Sequence, residues 1–408
     1  MHTGPDERPA EHHSVVEDRL AEKDALRRAA EAWGEVMVER RRRVEVDAKR
    51  ISDEVSRQAR ERQILAAEES PGPAPDEHGW PSLESPSREP VERPQRRLPA
   101  PLNIQRLLVP LDGTTYSERA LPYAAALAAA TGASVTLAHV RTPTPSRAAG
   151  HLDSLIRGFI ADRPDVTITD FPTYLHWTRE WMLQYVPNVS IQQIDALAPL
   201  KGLLDLERQT NSDLVIIASH ARQGPERMML GSVADGLVRD GSLPVLVIPP
   251  LAEPPTKSMP LIARVLVPLD GSELAETALG PVLGWLGGEA PSEFAPHELM
   301  LLTVVESQAA MLHGERYVRS IRDLLAPSLR AVEVHAHVRL GSAPGTIVSV
   351  TSEGLLGITG EQVRPDLIIM ATHGRGGLGR WLYGSVASYV LQRVAVPVLL
   401  THPSHIAG

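Results

Sequence analysis

The sequence predicts two tandem α/β domains, each built on a Rossmann-like, doubly wound sheet of parallel strands. One observation is a repeated block, VPLDGTTYSERAL at residues 109–121 and VPLDGSELAETAL at residues 267–279. A second is the alternation of short apolar runs with helical patterns, which is the spacing of βαβ units. A third is a set of pairs separated by 153 positions: Asp213 and Asp366, His220 and His373, Gly231 and Gly384, Ser232 and Ser385, and Pro244 and Pro397. An internal duplication explains all three, and it places the domains at residues 102–252 and 253–408.

The strands are predicted from short, nearly continuous apolar runs, which are typical of buried parallel sheets. Helices between such strands imply right-handed crossovers and a sheet covered on both faces. In the first repeat the strands are residues 104–111, 135–140, 189–194, 213–218 and 245–248, with a helix over 117–130. In the second repeat they are residues 263–269, 299–305, 332–340, 366–370 and 398–400, with a helix over 315–325.

An aromatic stripe lies between the second and third predicted strands of the first repeat. Tyr174, Trp177, Trp181 and Tyr185 are spaced so that they share one helical face. A platform for stacking bases is one interpretation. We favour packing in the core or at an interface, because aromatic stripes at helical spacing usually serve that purpose.

A second pattern of interest is the polar face of predicted strand 332–340. Glu333, His335, His337 and Arg339 alternate there with apolar residues. Two histidines on one face can ligate a metal, but the sequence offers no partner ligand. We therefore favour a half-exposed edge strand and predict no metal site.

Two segments precede the repeats. Residues 14–69 contain no proline and carry apolar side chains at roughly heptad spacing, which predicts a charged helical segment over residues 1–70. Four arginines at residues 40–43 cross the seam, so a solvated helix is as well supported as a coiled coil. Residues 71–101 are rich in Pro, Glu, Ser and Arg, which predicts an extended, disordered linker.

The composition excludes several classes of protein. A net charge of −9 argues against a general nucleic-acid binder, and the absence of cysteine excludes disulfides and thiolate metal sites. The N-terminus lacks an apolar core of signal-peptide length. The most membrane-like stretch, residues 120–140, is better explained as a helix, a Thr-Gly stop and a strand. We therefore expect a cytoplasmic protein with no membrane and no nucleic-acid partner.

A glycine-rich stretch, residues 371–385, follows the predicted strand 366–370 and precedes an apolar helix. Glycines let backbone N–H groups approach an anion without obstruction by a Cβ atom, so the stretch is a candidate phosphate cradle. By itself it is explained equally well as a flexible connection. The corresponding stretch of the first repeat ends at residue 232.

The repeated blocks resemble the universal stress protein family over roughly the last three-quarters of the chain. Members begin with a strand ending in V-P-x-D-G-S, and nucleotide-binding members hold ATP with a G-x-x-G, nine residues, G-[ST] motif. The second repeat has Ala371 in place of the first glycine, then Gly374, nine residues, Gly384 and Ser385.

The resemblance implies ATP, with or without Mg²⁺, as the ligand of the second repeat. Asp270 would meet the adenosine and Val304 would contact the base through its backbone, while the glycine-rich loop would hold the phosphates. His373 either faces the ligand or hydrogen-bonds within the loop, and we assign no catalytic residue. The implied set is Pro268, Leu269, Asp270, Gly271, Val304, Ala371, His373, Gly374, Arg375, Arg380, Gly384, Ser385 and Val386.

The first repeat departs further from the motif. Ala218 and Ala221 replace both leading glycines, Pro225 removes a backbone donor, and Glu226 adds an acid near the expected phosphates. The equivalent residues, which would form a weaker site, are Asp112, Val140, Ala218, Gly231 and Ser232.

The functional prediction is a stress-response regulator that binds ATP, mainly in the second repeat, with at most slow hydrolysis. The sequence contains no G-x-x-x-x-G-K-[ST], S-G-G-x-D-S or histidine-glycine-histidine motif. The alternative is an interaction module that binds no nucleotide and acts through its N-terminal helix and domain interface on an unknown protein partner. Ala221, Glu226 and Ala371 favour the alternative, whereas Gly374 and the Gly384-Ser385 pair favour ATP.

The last prediction from sequence concerns assembly. Residues 244–248 and 397–400 are the last predicted strands of their repeats. An apolar strand at the edge of a sheet leaves backbone groups unpaired, so we expect another element to pack against it. By resemblance to family dimers, the two repeats are predicted to pack around these strands as an internal pseudo-dimer with approximate two-fold symmetry. The N-terminal helix would offer a further contact for a homodimer.

Overall fold

The computed structural model describes residues 97–143, 156, 160, 168, 170–219, 231–252, 262–287, 296–356, 362–372 and 385–401. The chain divides into two compact units, Met1–Ala59 and Arg60–Gly408, and all described residues belong to the second. The predicted helical segment over residues 1–70 and residues 71–96 of the predicted linker lie outside the described residues.

In the described part of the first repeat, helices alternate with strands. The strands are β1 (Arg106–Pro110), β2 (Ser134–Arg141), β3 (Val189–Asp195), β4 (Leu214–Ala218) and β5 (Val245–Ile248). The helices are α1 (Thr115–Glu118), α2 (Ala120–Thr131), α3 (Phe171–Met182), α4 (Pro199–Thr210) and α5 (Ser232–Asp240). The single helix predicted over 117–130 is therefore wrong in detail, because α1 ends at Glu118 and α2 begins at Ala120.

The second repeat has the same order of elements with one insertion. Its main strands are β6 (Arg264–Pro268), β7 (Glu298–Val305), β8 (Glu333–Leu340), β11 (Leu367–Ala371) and β12 (Val398–Thr401). The inserted hairpin is β9 (Leu355–Leu356) and β10 (Gln362–Val363). The helices are α6 (Glu273–Glu276), α7 (Leu279–Leu286), α8 (Met311–Leu325), α9 (Ala343–Glu353) and α10 (Ser385–Leu391).

The main strands of both repeats form one ten-stranded sheet in the order β3-β2-β1-β4-β5-β12-β11-β6-β7-β8. Each half is parallel, and the halves join where β5 pairs antiparallel with β12, Leu246 opposite Leu399. From either end, the sheet runs through the third, second, first, fourth and fifth main strands of one repeat. The repeats therefore meet at the strands that the sequence analysis placed at their interface.

Each repeat has one half-buried carboxylate at the end of the sheet where the parallel strands begin. Asp213 precedes β4 and accepts hydrogen bonds from the backbone N–H groups of Gln105 and Arg106 at 3.0 and 2.9 Å. Asp366 precedes β11 and accepts equivalent bonds from Ala263 and Arg264 at 3.1 and 3.0 Å. One carboxylate thus aligns the start of the fourth strand with the first.

Helices cover both faces of the sheet, as the predicted crossovers require. The aromatic stripe belongs to the core, as predicted: Tyr174 is fully buried, Trp181 is 9% exposed, and the half-buried Trp177 and Tyr185 pack against the same hydrophobic core. β8 is an edge strand, which confirms the interpretation of its polar face. Among the described residues no group of three metal-ligating side chains occurs. None of the helices in that part of the chain is long and apolar enough to cross a membrane.

Candidate functional site

The candidate site is a cavity of about 160 Å³ at the carboxyl ends of β6, β7 and β11. Ligands of open α/β sheets bind beyond the carboxyl ends of the strands, where strand order reverses. β6 lies between β11 and β7, which is that point of the second repeat. The cavity is lined by Pro268, Leu269, Asp270, Ser272, Leu274, Ala275, Leu302, Val304, Ala343, Ile347, Met370, Ala371, Val386 and Ala387.

One rim of the cavity is the loop between β6 and α6. Gly271 has a φ of 88°, a left-handed conformation that favours glycine. Asp270 Oδ1 accepts hydrogen bonds from Ser272 N at 2.9 Å and from Ser272 Oγ at 2.6 Å. Ser272 Oγ in turn accepts from Ala275 N at 3.0 Å, which caps α6. The loop is therefore held by its own hydrogen bonds, with the exposed Asp270 at the mouth of the cavity.

The inner walls of the cavity are apolar. Leu302 of β7, Met370 of β11 and Ile347 of α9 are 0%, 5% and 2% exposed. Of the described lining residues, Asp270 alone carries an ionisable side chain. Apolar walls suit a flat ring. The carboxylate at the mouth can accept hydrogen bonds from hydroxyl groups on the part of the same ligand that lies outside the cavity.

The size of the cavity limits what it can enclose. Small-molecule sites usually occupy about 300–1,000 Å³, and this cavity is smaller at about 160 Å³. It can hold the ring of a larger ligand, and the rest of such a ligand must extend over the rim.

Six of the thirteen predicted residues of the second repeat line the cavity together. Gly271 forms the turn beside it, and Ser385, which begins α10, is exposed next to the lining residue Val386. Those in the cavity are Pro268, Leu269, Asp270, Val304, Ala371 and Val386. The remaining five, His373, Gly374, Arg375, Arg380 and Gly384, lie outside the described residues.

Sequence comparison now identifies the family. A model of the family described as universal stress proteins matches residues 103–163, 186–249 and 262–402, well over half of the chain. The chain belongs to the universal stress protein family. The matched residues include most of both repeats, so the resemblance noted from the repeated blocks is confirmed.

This universal stress protein has relatives at moderate similarity. Universal stress protein Rv2005c of Mycobacterium tuberculosis is 28% identical over 199 residues, which cover 49% of this chain and 65% of the relative. The chain thus spans just under two thirds of that relative's length. A solved universal stress protein of Pseudomonas aeruginosa UCBPP-PA14 shares the fold, with a TM-score of 0.51, 17% identity and coverage of 74% of this chain and 95% of the other. Another solved universal stress protein, in complex with cAMP, has a TM-score of 0.26, 20% identity and coverage of 36% and 96%.

The first repeat of this universal stress protein builds the same loop but covers it differently. Asp112 Oδ1 accepts from Thr114 N at 3.0 Å and from Thr114 Oγ1 at 2.6 Å, as Asp270 does with its serine. Gly113 has a φ of 77°, and a Cβ atom on it would lie 2.8 Å from the ring of Phe171. Phe171 stacks on His139 with ring centroids 3.5 Å apart. For Gly271, by contrast, none of the described residues has an atom within 4 Å of such a Cβ position.

His139 is tied into this cover by its own ring. Its Nδ1 is 2.9 Å from the carbonyl oxygen of Leu111, at the end of the first strand. Burial lowers the pKa of His139, while the bond to Leu111 and the nearby Asp112 act in the opposite direction. The histidine thus fastens Phe171 over the loop of the first repeat.

The helix after the third strand also differs between the repeats. Arg141 pairs with Asp195 and Val305 with Leu340, so α4 and α9 start within one residue of each other in the alignment, and Pro199 corresponds to Pro344. This alignment puts Gly202 where the second repeat has Ile347. A Cβ atom on Gly202 would lie 2.6 Å from Val140 Cγ1, so α4 packs directly onto the predicted base-contacting residue.

The remaining first-repeat candidates are partly engaged within the protein. Gly231 is buried, and its N–H group donates to Ser219 Oγ at 3.3 Å. Ala218 is 6% exposed at the end of β4, and Ser232 begins α5 with its side chain in solvent.

Sequence reasoning missed eight lining residues: Ser272, Leu274, Ala275, Leu302, Ala343, Ile347, Met370 and Ala387. Ser272 was within the repeated V-P-L-D-G-S block, and its spacing from Asp270 is the signal for the capping turn. Ala343 and Ile347 are four residues apart, so they share a helical face that meets the sheet beside Val304.

Proposed function

We propose that this universal stress protein binds an adenine nucleotide, with ATP as the expected ligand, in the cavity of the second repeat. The observation that carries the proposal is the apolar cavity at the strand-order reversal, with Asp270 at its mouth. The base would lie between Val304 and Ile347, and Asp270 would accept hydrogen bonds from ribose hydroxyl groups.

The phosphates would extend over the rim toward the glycine-rich loop. Residues 373–384 of that loop lie outside the described residues, but the residues that flank it, Ala371 and Val386, both line the cavity. Covalent continuity therefore brings the loop back to this rim at both ends. Its glycine amides and two arginines supply donors and positive charge for phosphate groups.

Binding is better supported than turnover. Asp270, the one ionisable side chain among the described lining residues, already accepts two hydrogen bonds from Ser272 through Oδ1. The other carboxylate oxygen of Asp270 is the acceptor proposed above for the ribose hydroxyl groups, so Asp270 is assigned to binding rather than to activation of an attacking water. We therefore propose a cytoplasmic, regulatory protein whose nucleotide serves as a signal, with hydrolysis slow at most.

We also propose that the two repeats are unequal, and that the second binds the nucleotide more tightly. The cleft of the first repeat is narrowed at two places. Gly202 lies against Val140, and Phe171 lies over Gly113. In addition, the N–H group of Gly231, a predicted phosphate donor, is already bonded to Ser219.

The test is nucleotide binding by the full chain, by calorimetry and thermal shift, with and without Mg²⁺. A ligand at about 100 times its dissociation constant stabilises the folded state by roughly 2.7 kcal/mol. Gly384→Val with Ser385→Ala should abolish the shift, and the matched pair Gly231→Val with Ser232→Ala should leave most of it. Two equivalent sites, or loss of binding in the first-repeat pair alone, would refute the proposed inequality. No binding of ATP at millimolar concentration would favour the interaction module instead.

A further inference from the structure

The segment that leads into the first repeat packs against the second repeat. We call residues 97–102 the arm. The N–H group of Leu102 donates to the carbonyl oxygen of Gly280 in α7 at 2.9 Å. Leu98 packs against the hydrophobic core on the same side of the sheet. The arm thus crosses from β1 of one repeat to a helix of the other.

Two glycines of α7 make room for the arm. A Cβ atom on Gly280 would lie 3.1 Å from the carbonyl oxygen of Ala100, and one on Gly284 would collide with the backbone of Leu102. Glycine inside a helix costs about 0.5–1 kcal/mol relative to alanine. The repeated block aligns these glycines with Pro122 and Ala126 of α2, so the groove is a feature of α7. Its shape fits the backbone of an extended peptide.

A continuous chain of hydrogen bonds leads from this groove to the cavity. Gly280 receives the bond from Leu102, and its own N–H group donates to Thr277 at 3.1 Å. Thr277 N donates to Leu274 at 3.0 Å, and Thr277 Oγ1 reaches the same carbonyl at 2.7 Å. Leu274 lines the cavity, and Ala275 beside it is held by the Ser272 cap. The groove and the cavity rim are thus two parts of one helical segment, α6 and α7.

We propose that the glycine groove of α7 is a docking site for the arm, and that docking is coupled to occupation of the cavity. Docking orders α6 and α7, so the rim is already in place when a nucleotide binds, and by thermodynamic reciprocity the nucleotide strengthens docking. The coupling to nucleotide rests on the function proposed above, whereas docking itself does not. Since residues 1–96 join the repeats through the arm, this contact links that part of the chain to the state of the cavity.

Hydrogen exchange of the full chain, followed by mass spectrometry, tests the proposal. Peptides that cover residues 98–103 report the arm, and peptides that cover residues 272–278 report the rim. In Gly284→Ala the arm should exchange about tenfold faster, because the methyl group displaces it and its hydrogen bond is lost. The rim should also exchange faster without any nucleotide. In the wild type ATP should slow exchange of the arm, and the variant should bind ATP several-fold more weakly.

Two further variants control the experiment. Leu102→Pro removes the donor N–H group and leaves α7 unchanged, so it should loosen the rim in the same way. Gly345→Ala adds a methyl group to α9, where the nearest neighbour is the rotatable Ser342 hydroxyl at 3.0 Å, and should leave exchange of the arm unchanged.

The results separate the two parts of the proposal. If the arm of Gly284→Ala exchanges at the wild-type rate, docking in the glycine groove is wrong. If the arm is released but the rim exchanges as before in both arm variants, coupling is wrong. If the wild type binds no ATP while the rim still loosens in both variants, the proposed nucleotide function fails and the coupling of arm and rim stands.

Discussion

The backbone of Gly202 lies directly against the side chain of Val140. A Cβ atom built on Gly202 would be 2.6 Å from Val140 Cγ1 and 2.8 Å from Cγ2. In the second repeat Ile347 takes the place of Gly202 and lines a cavity together with Val304. Ile347 places a buried side chain on the face of α9 that lines the cavity, whereas Gly202 places none between α4 and Val140. The residue at this one aligned position, Gly202 or Ile347, therefore contributes to the difference between the clefts of the two repeats.

Gly202→Ala should therefore destabilise the protein by about 1–3 kcal/mol, the usual cost of forcing extra volume into a packed core. The matched control is Gly345→Ala in the equivalent helix, where the nearest atom is a rotatable hydroxyl oxygen. That substitution should stabilise by about 0.5–1 kcal/mol, the ordinary gain for alanine over glycine inside a helix. Urea denaturation measures both. Equal effects of the two substitutions would contradict the close packing of α4 on Val140.

The order of the elements and the loop chemistry were predictable from the sequence, because they depend on local patterns. Apolar runs gave the ten main strands, and the repeated V-P-L-D-G block located Asp270 and the turn at Gly271. The contrast between Gly202 and Ile347 was not predictable in the same way. It depends on how closely a helix approaches a strand, which is a tertiary property without a local signal. The docked arm was missed for the same reason, since its partner is about 180 residues away in sequence.

Asp366 should give the protein a pH-dependent contribution to stability. Burial raises the pKa of Asp366 above its ordinary value of 3.8, although the N–H groups of Ala263 and Arg264 and the Arg264 charge oppose this effect. The folded state therefore holds the proton more tightly than the unfolded state. As the pH rises from 3.8 through the raised pKa, the free energy of unfolding falls.

The test is Asp366→Asn, whose amide oxygen can still accept both backbone hydrogen bonds but does not ionise. Relative to the wild type, the variant should gain stability as the pH rises from 3.8 through the raised pKa of Asp366. Asp213→Asn makes the same substitution at the equivalent carboxylate of the first repeat and serves as the comparison. That variant also loses the 2.9 Å contact between Arg106 and Asp213 Oδ1. Denaturation curves at several pH values give the differences. A difference between Asp366→Asn and the wild type that stays constant with pH would show that Asp366 does not titrate in this range.

His337 should contribute pH dependence with the opposite sign. Burial lowers the pKa of His337 from 6.5 to about 4, with the neighbouring His335 and Arg339 acting in the same direction. On acidification the unfolded state takes up the proton first, so the free energy of unfolding falls as the pH drops from 6.5 through about 4.

His337→Gln should lose less stability than the wild type over that interval of pH. His297→Gln is the matched control, because the side chain of His297 is 58% exposed and lies outside the polar face of β8. Chemical denaturation at several pH values measures both variants. Parallel profiles for the wild type and His337→Gln would rule out a lowered pKa for His337.

The size of the cavity leads to the last prediction, which separates binding in the second repeat from binding elsewhere. Ala343 lines the cavity, and its alignment partner in the first repeat is Ala198, which is exposed at the start of α4. Leucine adds three carbon atoms at either position. In a cavity of about 160 Å³ this takes up space that the base would need.

Ala343→Leu should therefore weaken ATP binding by about tenfold or more, since a misfit of even one methylene group in a pocket costs roughly 1–3 kcal/mol. The stability of the unliganded protein should change little, because the added atoms enter a cavity and displace no packed side chain. Ala198→Leu should leave ATP affinity unchanged, because it adds the same atoms to a solvent-exposed position. Calorimetric titration of both variants decides between the repeats. If Ala198→Leu weakens binding and Ala343→Leu does not, the nucleotide binds in the first repeat, and Gly202 against Val140 does not close its cleft.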